Sequence, residues 1–192
     1  MSDINFENKT VVVTGAGNGL GKAYAMEFAK RGANVVVNDI GGSVDGAGSE
    51  NAPADIVVEE IKSNGGSAVA NYDSVATKEG GQSIIDTALN EFGSIHSVVN
   101  NAGILRDKSF AKMEEEDFNA IIDVHLKGTF FVCQPAFIQM KEQGFGRFVN
   151  VSSPSGLFGN FGQLNYGAAK MGIVGLTNVL AIEGMKYNIK AN

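Results

Sequence analysis

Tyr166 and Lys170 stand four residues apart in a stretch of helical apolar spacing, so they share one helix face and an ammonium can lie beside a phenol. A free phenol titrates near ~10, and a neighbouring cation favours its phenolate, which brings the group toward acid-base work at neutral pH. Such a pair can move a proton to or from an alcohol oxygen. Ser153, thirteen residues before Tyr166, can hydrogen-bond the same oxygen and stabilise charge as a hydride leaves or arrives at the adjoining carbon. Tyr-x3-Lys alone is a weak signal that chance produces readily. Its weight comes from the elements that must hold it in place.

The run Val11-Val12-Val13 leads into Thr14-Gly15-Ala16-Gly17-Asn18-Gly19-Leu20-Gly21 and then into an amphipathic segment ending near Gly32. Strand, glycine turn and helix make the first unit of a dinucleotide-binding βαβ fold. Gly15, Gly19 and Gly21 would permit the tight turn, the approach of backbone N–H groups to a pyrophosphate, and close packing of helix on strand. The phosphates would sit at the positive end of the helix dipole. The spacing G-x3-G-x-G departs from the commoner G-x-G-x-x-G, and a glycine turn with no ligand is the plain alternative. The next strand, Asn34-Val35-Val36-Val37-Asn38, ends at Asp39, where a carboxylate can accept hydrogen bonds from adenosine ribose hydroxyls. Residues 40–54 hold no Lys or Arg to pair with a 2'-phosphate, while Asp45 and Glu50 add negative charge. That favours NAD over NADP.

Further strands and helices alternate. The glycine-rich segment 40–51 is long for a strand-to-helix connection, and either folds over the adenosine end of a cofactor or is mobile. Ala54, Val57, Val58 and Ile61 mark a helix stopped by Asn64-Gly65-Gly66. Residues 67–72 read as a third strand ending at Asp73-Ser74, where Asp73 can bond an adenine amino group. Residues 84–92 are helical and close at Gly93; residues 97–99 form a fourth strand leading into Asn100-Asn101-Ala102-Gly103. That tetrad suits a backbone lying close to a ribose or nicotinamide, or is a plain strand-end turn. Residues 118–141 are expected as a helix interrupted or bent near Pro135, and residues 146–151 as a fifth strand delivering Ser152 and Ser153. Such alternation predicts a parallel sheet covered on both faces.

Thr14-Gly15-x3-Gly19-x-Gly21, Asn100-Asn101-Ala102-Gly103, Ser153 and Tyr166-x3-Lys170, in that order, resemble the short-chain dehydrogenase/reductase family across essentially the whole chain. Val37-Asn38-Asp39-Ile40-Gly41-Gly42, Val124-His125-Leu126 and Gly159-Asn160-Phe161-Gly162-Gln163 are similar, within it, to the dehydrogenase domain of peroxisomal multifunctional enzyme type 2 and its bacterial relatives. The resemblance implies an α/β, three-layer Rossmann fold with a doubly wound parallel sheet, and oxidation of (3R)-3-hydroxyacyl-CoA to 3-oxoacyl-CoA with NAD. It implies that Tyr166 is the acid/base, that Lys170 lowers its pKa and holds the nicotinamide ribose, and that Ser153 orients the substrate oxygen. Gly15, Asn18, Gly19, Leu20, Gly21, Asp39, Asp73, Ser74, Asn100, Ala102 and Gly103 would line the cofactor, together with Tyr166 and Lys170. His125 stands where many members carry an Asn that helps hold a relay water; it serves a similar backbone role or is a packed helix residue.

A length of 192 residues suggests one domain over residues 1–192. The net charge of −6 argues against a sequence-independent grip on nucleic acid. No run approaches ~18 apolar residues, the amino terminus does not read as a secretory signal, and Cys133 alone excludes an intrachain disulfide. Cys133 reads as a buried structural thiol. His96 and His125 lack partners at metal-ligand spacing, and Glu114-Glu115-Glu116-Asp117 reads as a solvated helix start. The helix 166–182 is apolar nearly all round, so one face is expected on the sheet and the other on a second subunit in a homodimer or homotetramer. The chain stops at Lys190-Ala191-Asn192 as it enters a sixth strand, whereas the family continues through a substrate loop and a seventh strand; a fragment lacking those parts is expected. The expected setting is intracellular, cytoplasmic in a bacterium or peroxisomal in a eukaryote, with a small alcohol, ketone or acyl-CoA as substrate. A 3-oxoacyl reductase or hydroxysteroid dehydrogenase is the neighbouring alternative, and a non-catalytic nucleotide-binding or assembly domain the one from another class.

Overall fold

Val11, Val12 and Val13 are all fully buried, as are Val35, Val36 and Val37. Side chains alternate across a strand, so an unbroken apolar run has to be covered on both faces. The computed structural model, which describes residues 4–46 and 52–192, shows how. Val11, Val13, Val35 and Val37 pack with Ala25, Val57 and Ile61 on one face, and Val12, Val36 and Val98 pack with Ile84, Val132 and Phe148 on the other.

The strands are β1 (Thr10–Thr14), β2 (Asn34–Asn38), β3 (Ser67–Asn71), β4 (Ser97–Asn100), β5 (Gly146–Asn150) and β6 (Ile189–Ala191). They form one sheet in the order β3-β2-β1-β4-β5-β6, parallel at every pairing. The helices are α1 (Gly19–Lys30), α2 (Ala52–Ser63), α3 (Lys78–Phe92), α4 (Glu115–Ile121), α5 (Gly128–Gln143), the short α6 (Pro154–Phe158) and α7 (Leu164–Gly184). The strand order reverses direction between β1 and β4, and in such sheets the crevice outside the strand ends at that point is the ligand site. This is the α/β Rossmann architecture expected from the sequence. The sixth strand does pair with β5, through Gly146 opposite Ile189 and Phe148 opposite Ala191.

Of the interruption or bend expected near Pro135, the interruption is absent: α5 is continuous from Gly128 to Gln143. Pro135 supplies no N–H to the carbonyl of Phe131 one turn earlier. α3 packs closely against that carbonyl, since a Cβ placed on Gly81 would sit 2.5 Å from it. The departure from α geometry comes earlier, as a π-helical segment at Ile122–Lys127 that joins α4 to α5. By length and composition the continuous helix Glu115–Gln143 could cross a membrane, but Val132, Cys133, Ala136 and Met140 bury it in the core. The thiol of Cys133 is 2% exposed and burial pushes its pKa up to about 12, as suits a structural cysteine.

The glycine-rich segment after β2 folds back. The N–H of Leu105 donates to the carbonyl of Val44 at 2.9 Å, and Arg106 Nε donates to the carbonyl of Asp45 at 3.0 Å. The rest of that segment, residues 47–51 with Glu50, lies outside the described residues.

Candidate active site

α7 carries Tyr166 and Lys170, and the helical repeat puts them side by side: Lys170 Nζ lies 5.5 Å from the centroid of the Tyr166 ring. Lys170 is 3% exposed and donates from Nζ to the carbonyl of Val151 at 2.6 Å. Burial lowers its pKa to about 8. An ammonium has three donors, so this bond leaves two for a ligand. Ser152 Oγ donates to the carbonyl of Lys170 at 2.9 Å and fastens the helix to the end of β5. Ser153 caps α6, its Oγ accepting from the N–H of Ser155 at 3.2 Å, a bond that leaves the hydroxyl proton to donate. α6 packs on α7 where Gly156 lies against Lys170 and Gly167 against the carbonyl of Ser155. The three residues therefore share the carboxyl end of the sheet.

The glycine turn lies at the same end, between β1 and α1. Gly15 and Gly19 adopt φ of +62° and +55°, which side chains rarely tolerate. Gly21 is needed for space instead, because a Cβ there would sit 2.0 Å from the carbonyl oxygen of Gly15. No side chain caps the N-terminus of α1 at Asn18 and no acidic residue stands in its first turn, while Leu20 is exposed there. An anion meets no competing charge in that turn. Asp39 Oδ2 accepts from the N–H of Gly17 at 2.8 Å and Oδ1 from the N–H of Gly41 at 2.7 Å. A carboxylate has about four acceptor sites, so lone pairs remain for ribose hydroxyls. Asp73 is held by Ser83 Oγ at 2.6 Å and Asn71 Nδ2 at 3.1 Å, and Ser74 Oγ accepts from the N–H of Ala76 at 3.2 Å. Ala102 donates its N–H to Thr14 Oγ1 at 3.1 Å. These residues fit a dinucleotide. The Asn100 side chain faces inward, its amide donating to Asn150 Oδ1 at 2.8 Å and to Cys133 Sγ at 3.1 Å.

The sequence model of the short chain dehydrogenase family matches residues 9–192. The chain belongs to that family. It is 59% identical over 186 residues to a short-chain type dehydrogenase/reductase of Mycobacterium tuberculosis, covering 97% of this chain and 65% of that protein. It is 56% identical over 191 residues to the peroxisomal multifunctional enzyme type 2 of Mus musculus, covering 100% of this chain and 26% of that protein. The crystal structure of a short chain dehydrogenase from Mycobacterium avium superposes with a TM-score of 0.90 at 44% identity, over 97% of this chain and 66% of that one. The chain thus spans about two thirds of the bacterial relative's length and about a quarter of the mouse relative's.

Beyond the motif roles, a set of buried asparagines holds this end of the sheet together. Asn38, Asn71, Asn100 and Asn150 are the last residues of four strands, all buried. Asn38 donates to Asn71 Oδ1 at 2.9 Å, and Asn150 donates to Thr177 Oγ1 of α7 at 2.9 Å. These amides tie the end of β2 to β3 and the end of β4 to β5, and β5 to the helix bearing Tyr166. Their signal was a strand-ending Asn in run after run. Asn101 Nδ2 donates to the carbonyls of Thr14 and Gly15, both at 3.1 Å, holding the glycine turn from across the switch point. Asn165, fully buried, donates to the carbonyls of Arg106 at 3.0 Å and Asp117 at 3.1 Å and accepts from the Tyr166 N–H at 2.8 Å. Asp117 also departs from the solvated helix start expected for it: it is 9% exposed and pairs with Lys108 at 2.7 Å.

Proposed function

We propose that this chain carries the NAD-binding and catalytic residues of a dehydrogenase that oxidises a secondary alcohol, with (3R)-3-hydroxyacyl-CoA as substrate. The observation that carries the reading is the Lys170 ammonium standing beside the Tyr166 ring at the strand ends where Ser153 caps α6 and Asp39 closes the glycine turn. Bound NAD would supply the acceptor for the hydride. Tyr166 Oη takes the alcohol proton, Ser153 Oγ donates to the same oxygen, and Lys170 holds its positive charge beside the phenol. Gly15, Gly19, Gly21 and the first turn of α1 hold the pyrophosphate, and Asp39 the adenosine ribose. Asp39, with no Lys or Arg among residues 40–54, supports NAD over NADP.

The choice of acyl-CoA rests on the resemblance to the multifunctional enzymes, and an apolar groove at the amino end of α7, lined by Leu164 and Gly167 rather than by Tyr166, is the surface offered for its chain. This open groove of about 370 Å³ is lined by Phe110, Phe161 and Leu164 with Ser155 and Gln163. Phe110 and Phe161 are 76% and 89% exposed. Such a wall suits an aliphatic chain. The exposed Val179 and Ile182 of α7 support a homodimer.

The test is NADH formation by the longest available chain, with (3R)- and (3S)-3-hydroxybutyryl-CoA offered separately and NADP as control. Oxidation of the R form alone, with NAD, is the expected result. Preference for NADPH and a 3-oxoacyl substrate would favour the reductase instead, and turnover of no alcohol would remove the enzymatic reading.

A further inference from the structure

His125 lies within the π segment Ile122–Lys127 and is 3% exposed. Its Nε2 is 2.8 Å from the carbonyl oxygen and 3.1 Å from the amide nitrogen of Ile104, so either tautomer can bond that residue's backbone. Nδ1 is buried with no protein partner. The ring packs in a T-shaped pair with that of Tyr166, with centroids 5.1 Å apart and planes at 85°. A Cβ placed on Gly103 would be 2.4 Å from His125 Cε1, so the ring reaches this position only because residue 103 has no side chain.

Packing alone does not ask for this arrangement. A leucine or phenylalanine would fill a buried site without stranding a ring nitrogen, which costs stability. π-turns are rare, and they recur at functional sites because the extra residue redirects a side chain. Here two local costs are accepted together, and both serve to hold one polar ring between Tyr166 and Ile104. Residues 101–104 link these two partners to the cofactor edge, since Asn101 and Ala102 bond Thr14 and Asn101 also bonds Gly15.

We propose that His125 is a positioning residue for Tyr166. Its ring seats the phenol, and its Nε2 holds residues 103–104, so the acid/base and the cofactor-facing segment keep a set separation. The proposal rests on the reading of Tyr166 as the acid/base. Displacing a reacting group slightly is costly in rate, whereas the cofactor contacts through Gly15 and Asp39 do not involve this ring.

Three variants divide the two contacts: His125→Phe keeps a flat ring, His125→Asn keeps a polar group for Ile104, and His125→Ala keeps neither. The expected result is a fall in kcat of about ten- to a hundredfold for His125→Ala, with partial recovery in the other two and NAD affinity by calorimetry within about threefold of wild type. Spectra of 13C-labelled tyrosine, with the Tyr166 ring signal assigned through Tyr166→Phe, read the seating without turnover; the signal is expected to move in His125→Ala and to return toward its place in His125→Phe. Should His125→Ala fail to fold, His125→Leu, which fills the buried site but removes both the flat ring and Nε2, is read in the same way. A kcat within about twofold of wild type in folded variants that lack the ring overturns the proposal. An unmoved Tyr166 signal overturns it too, even if wild type oxidises no alcohol and the functional reading fails separately.

Discussion

Tyr166→Phe removes one oxygen and leaves the ring, so it separates proton transfer from packing. If the phenol exchanges the alcohol proton, kcat falls by ~10²–10⁴-fold while calorimetric NAD affinity is retained; retained turnover would assign the proton to another group. His125 offers a second measurement, through pH. Burial, then the charge of Lys170, lowers its pKa from 6.5 to about 4. The unfolded chain therefore binds more protons between those values, and the native state loses stability as pH falls through that window. At about 1.4 kcal/mol per unit, the full loss is on the order of 3 kcal/mol. Urea unfolding should show wild type losing stability relative to His125→Asn between pH 7 and pH 4, because the variant has no imidazole to protonate; an unchanged difference would mean the imidazole is not buried neutral. At this scale the Tyr166-Lys170 contact was legible because helical spacing suffices to make it, and Ser153 because it follows a strand end. The contact of His125 with Tyr166 was not, because it depends on a π segment that no spacing rule announces.

Among the elements, the glycine turn is the most sharply constrained. Gly21→Ala would put a methyl 2.0 Å from the Gly15 carbonyl, and α1 can relieve this only by leaving β1. The expected cost is about 1–3 kcal/mol in urea unfolding, accompanied by weaker NAD binding; wild-type stability and affinity would show that the turn has room. Strands β1 to β5 were readable from apolar runs, and most helices from their period and stops. Pro135 does not interrupt α5, because the helix loses only the one bond that its missing N–H would make. The carbonyl it leaves faces the close approach of Gly81, a neighbour from another helix. The side chain of Asn100 turns inward to Asn150 and Cys133, which leaves its backbone as the part that can face a cofactor, since a strand's last side chain can point into the layer beneath.

For the whole molecule, α7 is the informative helix. Ala169 and Ile173 are buried in it, whereas Val179 and Ile182 are 54% and 70% exposed, so one face is spent on the sheet and the other is left apolar. If that face meets a second subunit, Ile182→Asp shifts the protein from dimer toward monomer in sedimentation equilibrium, because a charge would be stranded in the interface; a wild-type monomer would refute the second subunit. The sequence by itself determined the alternation of strand and helix, the glycine turn, Asp39 at the second strand end and the Tyr166-Lys170 pair, since each is set by local period, backbone freedom or spacing. The tertiary structure alone decided what meets across distance: the amide pairs, the anchoring of residues 44–45 on 105–106, the pairing of Asp117 with Lys108, and the imidazole against the phenol. Those contacts join residues far apart in the chain, and only the crossovers of the sheet bring them within bonding distance.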